Sequence, residues 1–178
     1  MLSEIIQVND WLHLRKWRLT DASALVLNAN NYFIWRWLRN TFPNPYTYED
    51  AVLWIEKGQY SALQLNLAVV YQETAIGGIG IIFQEDIYTP RAEIGYWLGQ
   101  NYWGKGIGAA CLSCLTEWAF QNYSITRLEA PVIAGNSASM KILEKTNYHL
   151  EAIHRFAILK ENILYDEYFY VRYAPHLL

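Results

Sequence analysis

Along the chain, apolar and polar residues change their spacing several times, and each change marks an element. Trp11 to Trp17 (WLHLRKW) alternates as a strand, with Arg15, Lys16 and Arg18 expected on its exposed side. Thr20 and Asp21 offer a capping start for a helix to about Asn28, and a second helix is predicted from Tyr32 to Asn40. That helix stops before Phe42-Pro43-Asn44-Pro45, where two prolines impose extended or turn geometry. Thr47 then caps a helix from Tyr48 to about Gly58, with Ala51, Trp54 and Ile55 on one face. Leu65 to Tyr71 and Ala75 to Phe83 read as an antiparallel hairpin around Gln72-Glu73-Thr74, followed by a strand from Arg91 to Gly99. A helix from Gly106 to Asn122 repeats Ile107, Cys111, Leu115 and Trp118 at helical spacing. A strand from Ile125 to Ile133 and a short helix from Asn136 to Lys145 come next. Two strands, Tyr148 to Ile158 and Leu164 to Tyr173, close the chain around Lys160-Glu161-Asn162.

The order is strand, helices, three antiparallel strands, helix, strand, helix, two strands, which predicts a mixed α+β domain spanning residues 1–178. A hydrophobic content of 53% in 178 residues is ample for one core. The net charge of −3 and the lack of clustered Lys and Arg argue against a nucleic-acid partner. No apolar run approaches the roughly 18 residues that span a bilayer, and MLSEIIQVND lacks the pattern of a secretory leader, so a cytoplasmic protein without membrane contact is expected. Cys111 and Cys114 form C-x-x-C inside a helical pattern without a second pair, and His13, His149, His154 and His176 have no ligand spacing; neither set predicts a metal.

The segment from Glu93 to Phe120 (EIGYWLGQNYWGKGIGAACLSCLTEWAF) carries the chemistry. Gly104, Gly106 and Gly108 leave successive backbone N–H groups uncovered where a strand meets a helix, the helix adds its positive dipole end, and Lys105 adds an ammonium. Such a loop suits pyrophosphate. Gly99, Gly104 and Lys105 partly fit a mononucleotide loop, but Gly106 stands where a magnesium-binding hydroxyl is needed. Gly104, Gly106 and Ala109, with Glu129 downstream, partly fit a dinucleotide fingerprint, but the chain lacks the repeated βαβ units that should follow.

The loop also resembles the acetyl-CoA motif Q/R-x-x-G-x-G/A of the GNAT N-acetyltransferases, with Gly106 and Gly108 in the glycine positions. Trp103 replaces the usual Gln or Arg, and YWGKG after EIGYWL is similar to the Rim-type branch that acetylates ribosomal-protein N-termini. FPNPYTYEDAVLWI (residues 42–55) and NSASMKILEKTNYHLEAIHR (residues 136–155) resemble the same branch, so that matches cover about three quarters of the chain. Asn147 stands where the family has a glycine after the short helix, and Asn tolerates the left-handed backbone such a position needs.

The resemblance implies a GNAT fold: a mostly antiparallel sheet of about seven strands, splayed between the fourth and fifth, flanked by four to five helices. It implies acetyl-CoA as co-substrate and direct transfer to a primary amine, with a protein N-terminal α-amino group as acceptor. A small amine (polyamine or antibiotic) and a CoA-binding sensor with weak turnover are the alternatives. Contacts to the cofactor would come from Tyr96, Trp97, Leu98, Trp103, Lys105, Gly106, Ile107, Gly108, Ala109, Asn136 and Ser139, those in the Gly95 to Leu98 stretch through the main chain. Glu93 is the expected general base, unless it only anchors its strand by pairing with a neighbour; Asp166 and Glu167 stand in reserve. The tyrosine that many relatives use to protonate sulfur is absent at Leu143, leaving Ser139 as donor, although Asn136 and Ser139 also suit an N-cap and a first helical turn. Trp35, Trp37, Phe42, Tyr46 and Trp54 read as core or rim residues, although the resemblance places their helices around the acceptor entrance, where some would shape the pocket; Cys111 and Cys114 form no covalent intermediate, and a monomer or homodimer is expected.

Overall fold

The computed structural model describes residues 5–58 and 62–177; the first four residues of the N-terminal segment read above lie outside it. One eight-stranded sheet runs β1 (Ile5–Asn9), β2 (Leu12–Lys16), β3 (Gln64–Tyr71), β4 (Thr74–Phe83), β5 (Arg91–Leu98), β6 (Arg127–Ile133), β8 (Ile163–Tyr173), β7 (His149–Lys160). Every neighbouring pair is antiparallel except β5 and β6. The helices are α1 (Ala22–Ala29), α2 (Tyr32–Trp35), α3 (Tyr48–Leu53), α4 (Ile107–Asn122) and α5 (Ser137–Lys145).

The expected seven strands become eight because Ile5–Asn9 adds an edge strand whose Ile6 is buried in the core. Five residues with two inward positions form too short a pattern to stand out, and pairing with β2 supplies the rest. Both hairpin turns shrink to two residues with positive φ, Gln72-Glu73 and Glu161-Asn162, the backbone that matches strand twist. Asn147 adopts φ 63°, as the substitution for glycine required.

Alternate residues of the central strands feed two cores on opposite faces. On one, Ile107, Cys111, Leu112 and Leu115 of α4 pack against Leu67, Ile79, Ile81, Ile94 and Leu128. On the other, Leu25, Ala51 and Ile55 pack with Trp17, Tyr46, Ala68 and Val70.

Four local expectations are corrected. The helix predicted to Asn40 ends at Trp35, because turns bonded three residues back follow (Trp37 N to Ile34 O, 3.1 Å; Leu38 N to Trp35 O, 3.0 Å) and the Trp35 indole donates to Phe42 O at 3.0 Å. The helix predicted to Gly58 is α-helical only to Leu53 and widens into a π turn over Trp54–Gly58, although Thr47 and Asp50 form the expected reciprocal cap. Asp21 does not cap α1; its carboxylate accepts from Arg18 N at 2.9 Å and from both terminal nitrogens of Arg15 at 2.7 and 2.9 Å. That two-pronged pairing lets Arg15, expected outside, sit 5% exposed.

Candidate active site

β5 and β6 share only three rungs, Arg91 with Arg127, Ala92 with Leu128 and Glu93 with Glu129, and then diverge. These are the fourth and fifth of the strands expected from sequence, so the splay falls where anticipated. Glu129, the residue the dinucleotide reading needed for a ribose, instead clamps the closed end: Arg91 reaches it at 2.9 Å and Arg127 at 2.8 Å. Gly99 N donates to Ile76 O at 2.8 Å, and antiparallel alternation from that bond turns the main-chain groups of Trp97 and Gly95 to β4. The N–H groups of Tyr96 and Leu98 therefore face the gap, two parallel donors that suit an amide-bearing arm laid along the strand. Of the stretch from Gly95 to Leu98 expected to offer main-chain contacts, these two positions turn their N–H groups toward the gap.

At the open end of β5, the Trp103 indole donates to Leu98 O at 2.8 Å and pins the loop to the strand. Gly104 and Gly106 take φ of 73° and 77°, so the chain turns sharply before α4. Gly106 is the N-cap and brings no side-chain oxygen, so the first-turn N–H groups of Ile107, Gly108 and Ala109 have no partner within the helix. Ala110 N closes the first helical bond to Gly106 O at 3.0 Å. Lys105 is exposed beside this turn, its ammonium 5.5 Å from the Tyr102 ring. A bare helix start, two left-handed glycines and one exposed lysine fit a pyrophosphate group. Gly108 is a packing glycine, since a Cβ there would come within 3.2 Å of Ile142.

Across the gap, α5 starts with Asn136 Oδ1 accepting from Ser139 N at 3.3 Å, the N-cap geometry that the residue types allow without any cofactor. Ser139 has a second partner that the sequence did not disclose: the Tyr96 hydroxyl lies 2.9 Å from its Oγ and 3.3 Å from its carbonyl oxygen. Burial pushes the Tyr96 phenol up to about 12, against the opposing pull of the Ser139 bond, so it remains a neutral donor. Either hydroxyl can donate in this pair, and when Tyr96 is the donor the serine proton is free to point into the gap. Leu143, where a tyrosine was missed, is fully buried in the core.

On the opposite face of β5 a cavity of about 820 Å³ opens, lined by Glu93, Gly95 and Trp97 from β5, Gly78 and Gly80 from β4, and Phe42, Tyr46 and Trp54 from the helical layer. Glu93 Oε1 is held at 2.5 Å by Arg39, a residue hidden in sequence because the helix predicted to cover it gave no reason to single it out. Asp166 and Glu167 are engaged elsewhere, with Arg155 at 2.6 Å and His154 at 2.8 Å, and neither borders the cavity. Phe156 N–H and Arg155 together hold the Asp166 carboxyl below its ordinary value. Trp35 and Trp37 also stay off the cavity wall; Trp35 stacks over Lys160 at 3.7 Å and Arg36 lies 4.6 Å over Trp37. Burial raises both thiols, Cys111 to about 12, which keeps them unreactive. Among the described residues no group of His, Cys, Asp and Glu could hold a metal ion, and no helix is long and apolar enough to cross a membrane.

A sheet opened at one parallel pair, with a bare helix start on one face and a carboxylate-bearing cavity on the other, suits a group-transfer enzyme. Residues 12–149 match the family model described as acetyltransferase (GNAT) domain, and the chain belongs to that family of N-acetyltransferases. An uncharacterized N-acetyltransferase, p20 of Bacillus licheniformis, is 29% identical over 164 residues, covering 89% of this chain and 90% of that protein. The microcin C7 self-immunity acetyltransferase MccE, solved with acetyl-CoA and AMP, superposes with a TM-score of 0.84 at 26% identity, over 97% of both chains. RimL, an α-N-acetyltransferase of ribosomal protein L7/L12 solved with coenzyme A, shares the fold with a TM-score of 0.79 at 23% identity, over 96% of this chain and 98% of that one.

Proposed function

We propose that this N-acetyltransferase takes its acetyl group from acetyl-CoA and delivers it to a protein N-terminal α-amino group by direct attack in a ternary complex. The observation that carries the donor assignment is the three-rung β5–β6 pair beside the uncapped start of α4. Gly104 to Ala109 would hold the pyrophosphate, with Lys105 and Trp103 at its edge, and Asn136 and the N–H groups of Tyr96 and Leu98 would hold the pantetheine arm. MccE and RimL, solved with acetyl-CoA and coenzyme A, support the donor, and RimL supports the class of acceptor. An α-amino group, near pKa 8 against about 10.4 for lysine, also asks less of the base.

The chemistry divides across the strand. Glu93, whose second carboxylate oxygen is not used by Arg39, accepts a proton from the acceptor ammonium, directly or through one water. The freed amine nitrogen bonds to the acetyl carbon while the carbon–sulfur bond breaks. Ser139, oriented by Tyr96, gives a hydrogen bond to the departing sulfur, which leaves as thiolate or takes a proton through the serine from solvent. The test is thiol release from acetyl-CoA with peptides of varied N-termini beside lysine-side-chain and polyamine acceptors. The expected result is turnover on free N-termini, with Glu93→Gln lowering kcat strongly while CoA affinity holds. Turnover confined to polyamines removes the N-terminal acceptor, and unchanged kinetics in Glu93→Gln removes that residue as base.

A further inference from the structure

The cavity on the Glu93 face has a floor rich in glycine. Gly80 and Gly95 pair directly across β4 and β5, and Gly78 pairs with Trp97 two residues along. All three line the cavity. Above Gly95 a Cβ would meet nothing within 4 Å, so the bare peptide surface is open rather than filled by a neighbour. At Gly78 a Cβ would come within 2.7 Å of the Trp97 indole nitrogen and 3.4 Å of the Trp17 ring, so the missing side chain is what lets both indoles lie down on the sheet. At Gly80 a Cβ would come within 2.7 Å of Leu65 O and 2.8 Å of the Asn66 amide oxygen, so the open backbone lies at Gly95, bounded by flat rings on one side and by Asn66 on the other.

The rings around this floor are incompletely buried. Phe42 stands edge-on to Trp97 at 5.8 Å and tilts against Tyr46 at 4.9 Å; of the three only Tyr46 is fully buried. Trp54 is half-buried and sits at the first position of the π turn, where the widened helix delivers it to the cavity. Charge gives little direction. Arg39 and Lys57 offset Glu93 and Asp50 in the lining, and Arg39 and Glu93 already face each other. A flat floor, aromatic walls and cancelled charge select by shape and stacking.

We infer that the acceptor is a primary amine carried close to a planar aromatic or heteroaromatic ring, which lies on the open backbone at Gly95 between Phe42 and Trp54 with its amine toward Glu93. This rests on the acetyl-transfer reading above and names the substrate class of the same site. The ring can belong to the first residue of a peptide or to a free arylalkylamine; both present the same chemistry.

The experiment compares matched acceptors by thiol release at saturating acetyl-CoA: 2-phenylethylamine against 2-cyclohexylethylamine, and peptides beginning with Phe against the same peptides beginning with Leu. The expected preference for the planar member is about tenfold in kcat/KM, at the upper end of what one or two aromatic contacts contribute. It should disappear in Trp54→Leu and in Phe42→Leu and persist in Trp54→Phe, with the thermal shift on adding acetyl-CoA showing that each variant folds and binds donor. Faster turnover of the peptide or of the free amine identifies the source of the ring. Equal rates for planar and saturated acceptors overturn the inference and leave the transferase reading standing, as does a preference that survives both leucine variants. A thermal shift with acetyl-CoA but no turnover of any amine overturns both.

Discussion

Replacing Gly95 by valine should close the acceptor cavity while improving the strand that carries it. A Cβ at Gly95 meets nothing within 4 Å, the backbone there is ordinary extended strand, and the open space is the cavity floor beside Glu93. Glycine within a strand costs about 0.5–1 kcal/mol in backbone freedom relative to a residue with a side chain. Valine should recover that much, raising Tm by about 1–4 °C for a chain of this size. In a fitted apolar pocket each misplaced methyl-sized group costs about 1–3 kcal/mol of transition-state binding, so kcat/KM for the acceptor should fall roughly 10- to 200-fold. Donor binding should not change, because Gly95 turns its main chain to β4 and its missing side chain away from α4. The assay combines acceptor saturation kinetics, calorimetric titration with CoA and differential scanning fluorimetry. A fall in CoA affinity with acceptor kinetics intact, or a lower Tm, would refute this assignment of the two faces of β5.

Gly106→Val should weaken CoA binding through its backbone rather than its bulk: the position is open to a Cβ but sits at φ 77°, which costs a side-chain-bearing residue about 1–2 kcal/mol, read as a roughly five- to thirtyfold rise in Kd by calorimetry. Tyr96→Phe removes one hydrogen bond to Ser139, worth about 0.5–1.5 kcal/mol, and should lower kcat about two- to tenfold. Since burial raises this phenol above its unfolded value, its neutral form is fully present below the ordinary phenol range and is lost only as pH climbs through about 12. The kcat deficit should therefore be constant across neutral pH, and a deficit that grows with pH in that range counts against the donor role. Asp21→Ala leaves Arg15 buried without its carboxylate and should destabilise the fold by about 3–5 kcal/mol in denaturant unfolding; a change under 1 kcal/mol would show that solvent reaches the guanidinium.

The donor side was legible because its requirements are local. Gly104, Gly106 and the apolar repeat of α4 occupy consecutive positions, so the spacing that sequence displays is the geometry that the loop adopts. The left-handed Asn147 is local in the same sense. What stayed hidden joins distant parts of the chain. Arg39 meets Glu93 across 54 residues and Tyr96 meets Ser139 across 43, and nothing in either neighbourhood announces the partner. Arg15 was misplaced for a related reason: a guanidinium reads as surface until the carboxylate that neutralises it is seen. The helix from Tyr48 changes to a π turn at Trp54, where Ile55 is buried in the second core, a contact with distant segments that the local pattern does not display.

The short three-rung junction leaves β5 as a strand whose alternate residues face different spaces, which the proposed reaction would give to different substrates. The side chains of Ile94, Tyr96 and Leu98 pack on the α4 face, whereas Glu93, Gly95 and Trp97 look into the cavity, whose wall Tyr96 also borders. Mutation at the odd-numbered positions can then explore new acceptors while the donor apparatus is inherited unchanged, and mutation at the even-numbered ones cannot. A single-residue insertion would exchange the two sets in one step and abolish both, so diversification along this strand should proceed by replacement and never by a change of length.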